Sequence, residues 1–251
     1  MRTKFLGISL VWLVLFLPSC TKTSPSAQFV PDSKNFEIYL NQGIQSLHSG
    51  DFGMAIVHLQ RAVAASPKSD QAHNFLGIAY FQQKNYQLSK IHFEKAIALQ
   101  PSYAEAYNNL GSNYFVLQEF EKAKGMFKKA IEFSPKKASP YYSLGNLLLM
   151  MGQQEEGITY LAKGIELDPN FLEKNESLIT KFSYQDYNDA EVNFTYAKIF
   201  ASAGNADKTL IYLEKAEKSN FQSWNRILTE KEFEKVKDSP AIQNFIKRVL
   251  K

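Results

Sequence analysis

The stretch from Asp70 to Pro101 reads DQAHNFLGIAYFQQKNYQLSKIHFEKAIALQP, and it decides the fold because its pattern returns along the chain. The Leu-Gly pair inside it recurs twice more at a constant interval of 34 residues. A fixed interval of this length is typical of proteins built from structural repeats. The three pairs are Leu76-Gly77, Leu110-Gly111 and Leu144-Gly145.

Other positions keep the same interval when each copy is numbered from its own first residue. Position 24 is large and apolar, position 27 is small, and position 32 is proline. These residues are Phe93, Phe127 and Leu161 at position 24, Ala96, Ala130 and Gly164 at position 27, and Pro101, Pro135 and Pro169 at position 32. Four copies begin at Phe36, Asp70, Ala104 and Ala138, and a weaker copy begins at Ala190.

This spacing predicts a pair of helices in each copy. Positions 4, 7, 8 and 11 form one apolar stripe of a first helix, and positions 20, 24 and 27 form a stripe of a second. The small residues allow the two helices to approach closely, and the proline ends the second helix. One such hairpin cannot bury its apolar stripe alone, so several must stack into a solenoid.

The pattern resembles that of the tetratricopeptide repeat family. The resemblance implies an all-α fold, a right-handed superhelical solenoid of antiparallel helix hairpins. It covers four units in residues 36–169 and a degenerate fifth unit in residues 190–223. Residues 170–189 are an insertion that interrupts the period, predicted to form a helix and a loop.

Residues 224–251 are predicted to form a C-terminal helical cap. Thr229 and Glu232 have the spacing of a capping box, and Ser239-Pro240 is a typical start for a last amphipathic helix. Apolar residues in this region are expected to cover the open face of the fifth hairpin; they are Trp224, Ile227, Leu228 and Phe233. The alternative is that this region docks a partner.

The first residues have the pattern of a secretory signal, with Arg2 and Lys4 followed by an apolar run from Phe5 to Leu17. The run is shorter than the roughly 20 residues that a membrane-spanning helix needs. Leu17 to Cys20 resembles the lipobox of bacterial lipoproteins. That resemblance implies removal of a signal peptide at 1–19, attachment of fatty acyl chains such as palmitate to Cys20, and a flexible tether over 20–35. The alternative is an ordinary cleaved signal in which Cys20 is incidental.

The lipobox implies a bacterial cell envelope protein held on a membrane by its lipid, and Thr21 after the cysteine favours the outer membrane. Without the two leader cations the chain has 27 basic and 25 acidic residues, a net charge of +2. So small an excess gives no indication of nucleic-acid binding. The conjunction of lipobox and repeats is similar to lipoproteins that pilot pilus or secretion subunits, or that adapt cell-wall enzymes.

In the tetratricopeptide family, positions 2, 5, 9 and 12 of the first helices line the concave surface of the solenoid. Here they are rich in amide and aromatic side chains, which favours an extended peptide as ligand, because an amide both donates and accepts hydrogen bonds. The candidate groove residues, with one neighbour at position 6, are Asn74, Ile78, Phe81, Asn108, Asn109, Ser112, Phe115, Tyr142, Asn146 and Leu149.

Charge narrows the choice of ligand. The first fourteen positions of all four copies contain no Lys or Arg. The family's chaperone-binding members grip a terminal carboxylate with basic residues from these helices, so a partner ending in acidic residues is disfavoured. We expect a protein or peptide partner of the cell envelope.

No sequence motif indicates catalysis. The four histidines lack the spacing of a helical metal site, and we interpret His58 and His92, which share position 23, as surface packing residues. We therefore expect no catalytic residue, metal, cofactor or small-molecule substrate. Two alternatives remain: a cell-wall hydrolase or ligand carrier with its site in residues 170–251, and a self-associating structural protein.

Overall fold

The computed structural model describes residues 33–169 and 189–250. Within these ranges the chain is helical, with twelve α-helices, two short 3-10 turns and no β-strand. The predicted signal peptide, Cys20, the tether up to residue 32 and nearly all of the predicted insertion lie outside the described residues. The all-α solenoid class predicted from the repeat interval is confirmed.

The first eight helices form four hairpins. The first helix of each hairpin begins at position 1 of its repeat, so the structural period is the 34-residue sequence period. The helices are α1 (Phe36–His48), α2 (Phe52–Ala65), α3 (Asp70–Gln82), α4 (Tyr86–Leu99), α5 (Ala104–Val116), α6 (Phe120–Phe133), α7 (Ala138–Met150) and α8 (Gln154–Leu167).

Each hairpin closes around the glycine at position 8. A methyl group added to Gly77 would lie 2.6 Å from the Phe93 ring, and one added to Gly111 would lie 2.5 Å from the Phe127 ring. These phenyl rings at position 24 are nearly or fully buried. Glycine is therefore needed chiefly to make room for the large side chain of the second helix.

The turn between the two helices of each hairpin contains a residue with positive φ at position 15. It is glycine in three hairpins, Gly50, Gly152 and Gly204. Lys84 and Gln118 adopt the same left-handed conformation, with φ of 62° and 60°. A side chain at such a position costs about 1–2 kcal/mol, and packing of the two helices must offset that cost.

Side-chain caps start several of the helices. Ser69 accepts a hydrogen bond from the Ala72 N–H at the start of α3. At the start of α5 the equivalent position is Tyr103, whose side chain makes no such bond. The second helices α2 and α4 are capped by Asp51 and Asn85.

A fifth hairpin and a C-terminal region follow. Its helices are α9 (Asp189–Ser202), α10 (Ala206–Lys218), α11 (Arg226–Thr229) and α12 (Pro240–Val249). Helix α9 packs on α8, and α12 packs on α10. A shared aromatic core joins α9 and α10 to the C-terminal residues, and its largest members are Phe194, Phe221, Trp224, Phe233 and Phe245.

Two details of the predicted C-terminal cap are wrong. Thr229 ends α11 instead of starting a helix, and Glu232 pairs with Lys198, so the two do not form a capping box. Leu228 is 58% exposed and covers nothing. Trp224, Ile227 and Phe233 are buried in this region.

A membrane span needs a long helix that is apolar throughout. Among residues 33–169 and 189–250, no helix has both the length and the apolar character to cross a bilayer.

Candidate binding groove

A pocket lies where the first helices of the second, third and fourth hairpins meet. Its volume is about 290 Å³. Seven of its ten lining residues stand at repeat positions 2, 5, 6 and 9, which include those predicted to be concave. The residues lining it include Asn74, Phe75, Ile78, Glu105, Asn108, Asn109 and Ser139. Four of the ten predicted groove residues are therefore brought together: Asn74, Ile78, Asn108 and Asn109.

Amide groups form a hydrogen-bonded ladder along one wall of this pocket. Asn109 donates its Nδ2 hydrogen to Asn74 Oδ1 at 3.0 Å, and Asn74 in turn donates to the Tyr103 hydroxyl at 3.3 Å. Asn74 is 2% exposed, so its amide is held by these bonds and does not move freely. The ladder fixes the wall between α3 and α5, and Asn109 is its half-buried member, so that Asn109 can still face a ligand.

Asn108 contributes an unsatisfied acceptor to the same wall. Its Nδ2 lies 3.5 Å from Ser139 Oγ, at the limit of a hydrogen bond. Its Oδ1 is buried and has no hydrogen-bond partner in the described part of the chain. A buried acceptor without a partner costs roughly 1–3 kcal/mol. Rotation of this amide toward a ligand N–H would remove that cost.

Apolar side chains continue the surface beyond the pocket. Phe81 contacts Tyr86 edge-on at 5.5 Å, and Phe115 packs against Phe120 at 6.0 Å. Both phenylalanines are partly buried, as are Ile78, Asn146 and Leu149. Ser112 is also partly buried, and its hydroxyl donates to the Asn108 carbonyl of its own helix at 3.1 Å. Its proton is therefore already used within α5.

Tyr142 does not line this surface, although its position predicts that it should. Its side chain is 1% exposed, and its hydroxyl donates to the Asp168 carbonyl at 3.2 Å. A methyl group added to Gly164 would lie 3.0 Å from the Tyr142 ring. The ring can enter the core because Gly164 stands where the second and third repeats have alanine. Burial raises the pKa of this hydroxyl.

The charged groups at the pocket rim are one carboxylate and one ammonium group. Glu105 at position 2 of the third repeat forms an ion pair with Lys137, which lies just before α7. Both side chains are about half exposed, 52% and 55%, so the pair contributes little to stability. A cation from a ligand could therefore replace Lys137 as the partner of the Glu105 carboxylate at little cost in stability.

Two histidines, one from each helix of the second hairpin, contact each other outside the pocket. His73 Nδ1 and His92 Nδ1 are 3.0 Å apart, and His73 Nε2 lies 3.2 Å from the Pro67 carbonyl. The carbonyl requires a proton on His73 Nε2, so a neutral His73 accepts at Nδ1 and His92 donates. Desolvation lowers the pKa of both imidazoles, that of His92 to about 4. The sequence comparison of His58 with His92 missed this pair, because positions 4 and 23 of one hairpin face each other.

A second set of converging charges lies at the C-terminal end. Lys198 Nζ is 2.8 Å from Glu230 Oε2 and 3.6 Å from Glu232 Oε1. Arg226 Nε donates to Glu230 Oε1 at 2.7 Å. Burial raises the pKa of Glu230, but hydrogen bonds and charge from Lys198 and Arg226 outweigh it and lower the pKa overall. This carboxylate is held ionised, which does not suit a general acid.

A metal site would require several ligating side chains to converge. Among the described residues, no group of three or more His, Cys, Asp or Glu side chains is arranged to hold a metal ion.

Comparison with known families identifies the repeats. Residues 68–136 and 126–159 each match a family model described as tetratricopeptide repeat. Residues 68–159 are therefore similar to the tetratricopeptide repeat family. The two matches run from the second hairpin into the second helix of the fourth, and they include α3, α5 and α7, the helices that line the pocket. A search of curated protein sequences finds no significant match.

Solved structures share the fold. The crystal structure of MamA protein matches with 22% identity and a TM-score of 0.51, covering 79% of this chain and 96% of that one. The tetratricopeptide protein TTC0263 of Thermus thermophilus matches with 16% identity and a TM-score of 0.53, covering 86% and 98%. At these identities the likeness concerns the tetratricopeptide fold alone.

Proposed function

We propose that the protein is a binding scaffold whose concave groove holds an extended segment of a partner protein. The observation that carries the proposal is the pocket between α3, α5 and α7, with its amide ladder beside Ile78. The half-buried amides of Asn108 and Asn109 can pair with the backbone of an extended peptide whatever its side chains, and apolar neighbours add buried area. The unsatisfied Asn108 oxygen adds a place for a donor.

The proposal includes the location of the scaffold. Cys20, in its lipobox context, would carry the lipid, and residues 21–35 would join it to the first hairpin. Two or more acyl chains hold a protein stably on a bilayer, since each buried methylene contributes about 0.8 kcal/mol. The protein would then act at the bacterial envelope, most simply on the outer membrane, as an adaptor for envelope proteins.

Site-specific photocrosslinking in the producing cells tests the groove. A photoreactive amino acid at Ile78 would sit in the pocket, and one at Gly125 on α6 provides the control, because nothing lies within 4 Å of a side chain added there. We expect a discrete crosslinked protein from position 78 and none from position 125. Equal crosslinking at both positions, or none at position 78, would contradict a groove ligand.

Metabolic labelling tests the anchor. Labelled palmitate should enter the protein and be lost in a Cys20→Ser variant, which should also leave the membrane fraction. A variant that remains in the membrane fraction would show that another part of the chain holds it there.

The alternative of a hydrolase or carrier with a C-terminal site gains less support. The converging groups there, Lys198, Arg226, Glu230 and Glu232, are bound to one another in ion pairs. A site for chemistry needs a group with a displaced proton affinity that faces a substrate. These groups instead hold the C-terminal residues on the fifth hairpin.

A further inference from the structure

The fifth hairpin already has a ligand on the face that corresponds to the groove, and that ligand is the chain's own C-terminal segment (Phe221–Val236). Positions 2, 5 and 9 of its first helix are Glu191, Phe194 and Lys198. The Phe221 ring stacks on Phe194 with centroids 4.2 Å apart, and the Phe233 ring packs on it at 5.5 Å. The segment therefore lies along the positions that a partner peptide would occupy in the other hairpins.

Arg226 of the C-terminal segment is held by Glu191 and Phe194 on this face of the fifth hairpin. Its guanidinium donates to both oxygens of Glu191, at 2.9 and 3.1 Å. It lies over the Phe194 ring at 4.6 Å from the centroid, close enough for a cation–π interaction. The carboxylate at position 2 and the aromatic ring at position 5 of the fifth hairpin thus bind a guanidinium group together.

The same carboxylate recurs in two of the first four repeats. Position 2 is Glu37 in the first hairpin and Glu105 in the third. Glu105 holds the Lys137 ammonium group, a second cation bound at position 2. Glu37 is exposed, and no ion pair to it is found in the described part of the chain. No Lys or Arg occurs in the first fourteen positions of these four repeats to oppose a positive partner.

We propose that Glu37 and Glu105 recognise cationic side chains, so that the groove selects an extended protein segment carrying Lys or Arg. The proposal rests on the proposed function and names the chemistry of the partner. A basic segment would displace Lys137 from Glu105, bring a second cation to Glu37 two hairpins away, and place its backbone along the amide ladder. Acidic segments would meet the carboxylate of Glu37, which has no ion pair in the described part of the chain, and this repulsion adds specificity.

The expected contribution of each carboxylate is modest. An exposed ion pair changes affinity by about two- to five-fold, and salt weakens it. Two carboxylates that act together would therefore change affinity by roughly four- to twenty-five-fold at low salt, if their free energies add. This preference is large enough to appear in a direct comparison of peptides.

A large array of random-sequence, end-blocked peptides is the test, with the purified full chain as the binding protein. We expect the bound peptides to be enriched in Lys and Arg. The double variant Glu37→Gln/Glu105→Gln should lose that enrichment while keeping its thermal unfolding curve. One enriched peptide, resynthesised with Gln for each Lys or Arg, should bind the original chain more weakly by the factor expected for two carboxylates.

Two further variants separate recognition from general effects of charge. Glu121 lies in the first turn of α6, where a carboxylate has the same favourable interaction with the helix dipole, and it is exposed away from the pocket lining. Glu121→Gln should leave the enrichment unchanged. Lys137→Ala frees Glu105 and should strengthen binding of the enriched peptide by about two- to five-fold.

The outcomes distinguish this inference from the proposed function. Peptides bound without charge preference, or with acidic enrichment, overturn the inference and leave the groove as a general peptide site. An equal loss in Glu121→Gln also overturns it, because net charge would then explain the result. Binding of no peptide overturns it as well, and crosslinking at position 78 then decides whether the scaffold proposal survives.

Discussion

The first four hairpins and the fifth hairpin share one repeat pattern but differ in what covers positions 2, 5 and 9. In the second to fourth hairpins these positions form a pocket of amides and aliphatic groups beside Glu105. In the fifth hairpin they are Glu191, Phe194 and Lys198, and the C-terminal segment covers them. The difference teaches that the same face of a repeat can stay open or be filled by the chain's own residues, according to the side chains that it carries.

The largest expected effect comes from removing the ring that joins the C-terminal segment to the fifth hairpin. Phe194 is fully buried, so Phe194→Ala should cost about 3–5 kcal/mol. Repeats that contact only their neighbours can unfold separately, so urea should melt the helical signal in two steps. Phe81→Ala, a partly exposed groove residue, should shift the single transition much less. A single unshifted transition in Phe194→Ala would contradict the internal-ligand interpretation.

A smaller effect is expected from the buried cation of that same region. Lys198→Met leaves Glu232 without its partner and Glu230 with Arg226 alone, which should cost about 2–3 kcal/mol. Chemical denaturation measures this loss, and adding Glu232→Gln should recover part of it. Lys163→Met breaks only the exposed pair with Glu166 and should cost less than about 1 kcal/mol. Equal losses in the two lysine variants would mean that burial of Lys198 is unimportant.

Two glycines of the third hairpin, one in each of its helices, offer a matched comparison. Gly111→Ala places a methyl group 2.5 Å from the Phe127 ring and should destabilise by about 1–3 kcal/mol. Gly125→Ala in α6 meets nothing within 4 Å and should stabilise by up to about 1 kcal/mol. Thermal unfolding of both variants checks the prediction. A stabilising Gly111→Ala would show that the hairpin relaxes to accept the methyl group.

The two regions should also respond differently to acid. The pKa values of His73 and His92 are lowered in the folded protein from the ordinary histidine value of 6.5. Below that pH the unfolded chain therefore binds more protons at these two residues than the folded chain does. Stability is therefore complete above pH 6.5 and falls as the pH drops toward about 4, by roughly 1–2 kcal/mol given partial exposure. The carboxylate of Glu230, with its lowered pKa, loses stabilisation only below pH 4.5.

Urea titrations across this pH range check the order of the two losses. The variant His92→Leu should remove most of the slope between pH 6.5 and about 4. The variant His48→Leu, which changes a histidine outside this buried pair, should leave the slope intact. A slope that survives in His92→Leu would place its origin elsewhere in the chain.

Much of the scaffold could be predicted from the sequence because its determinants are local and repeated. The glycine at position 8 and the large residue at position 24 depend on each other within a hairpin, so a single interval of 34 residues places both. In the structure Gly77 lies against the Phe93 ring, and Gly111 lies against the Phe127 ring.

Prediction is weaker wherever contacts depend on neighbouring hairpins or on the C-terminal residues. Tyr142 holds a groove position but turns inward because Gly164 leaves space for its ring. Thr229 and Glu232 have capping-box spacing, yet Glu232 pairs with Lys198, which belongs to a distant part of the sequence. A usable signal was Lys198 itself, since the first fourteen positions of the other four repeats contain no Lys or Arg.

The two ends of the helical stack are not equivalent. At one end α12 packs on α10 and the C-terminal segment fills the face of α9. At the other end Ile38 of α1 is 53% exposed, and no later element of the described chain covers it. A gene duplication that inserts another hairpin before α1 would lengthen the groove and disturb only the contacts that Ser33–Asn35 makes with α1 and α2. One that inserts a hairpin after α10 would separate Phe194 from Phe221 and Phe233, so the evolutionary growth of this scaffold is expected to run from its amino-terminal side.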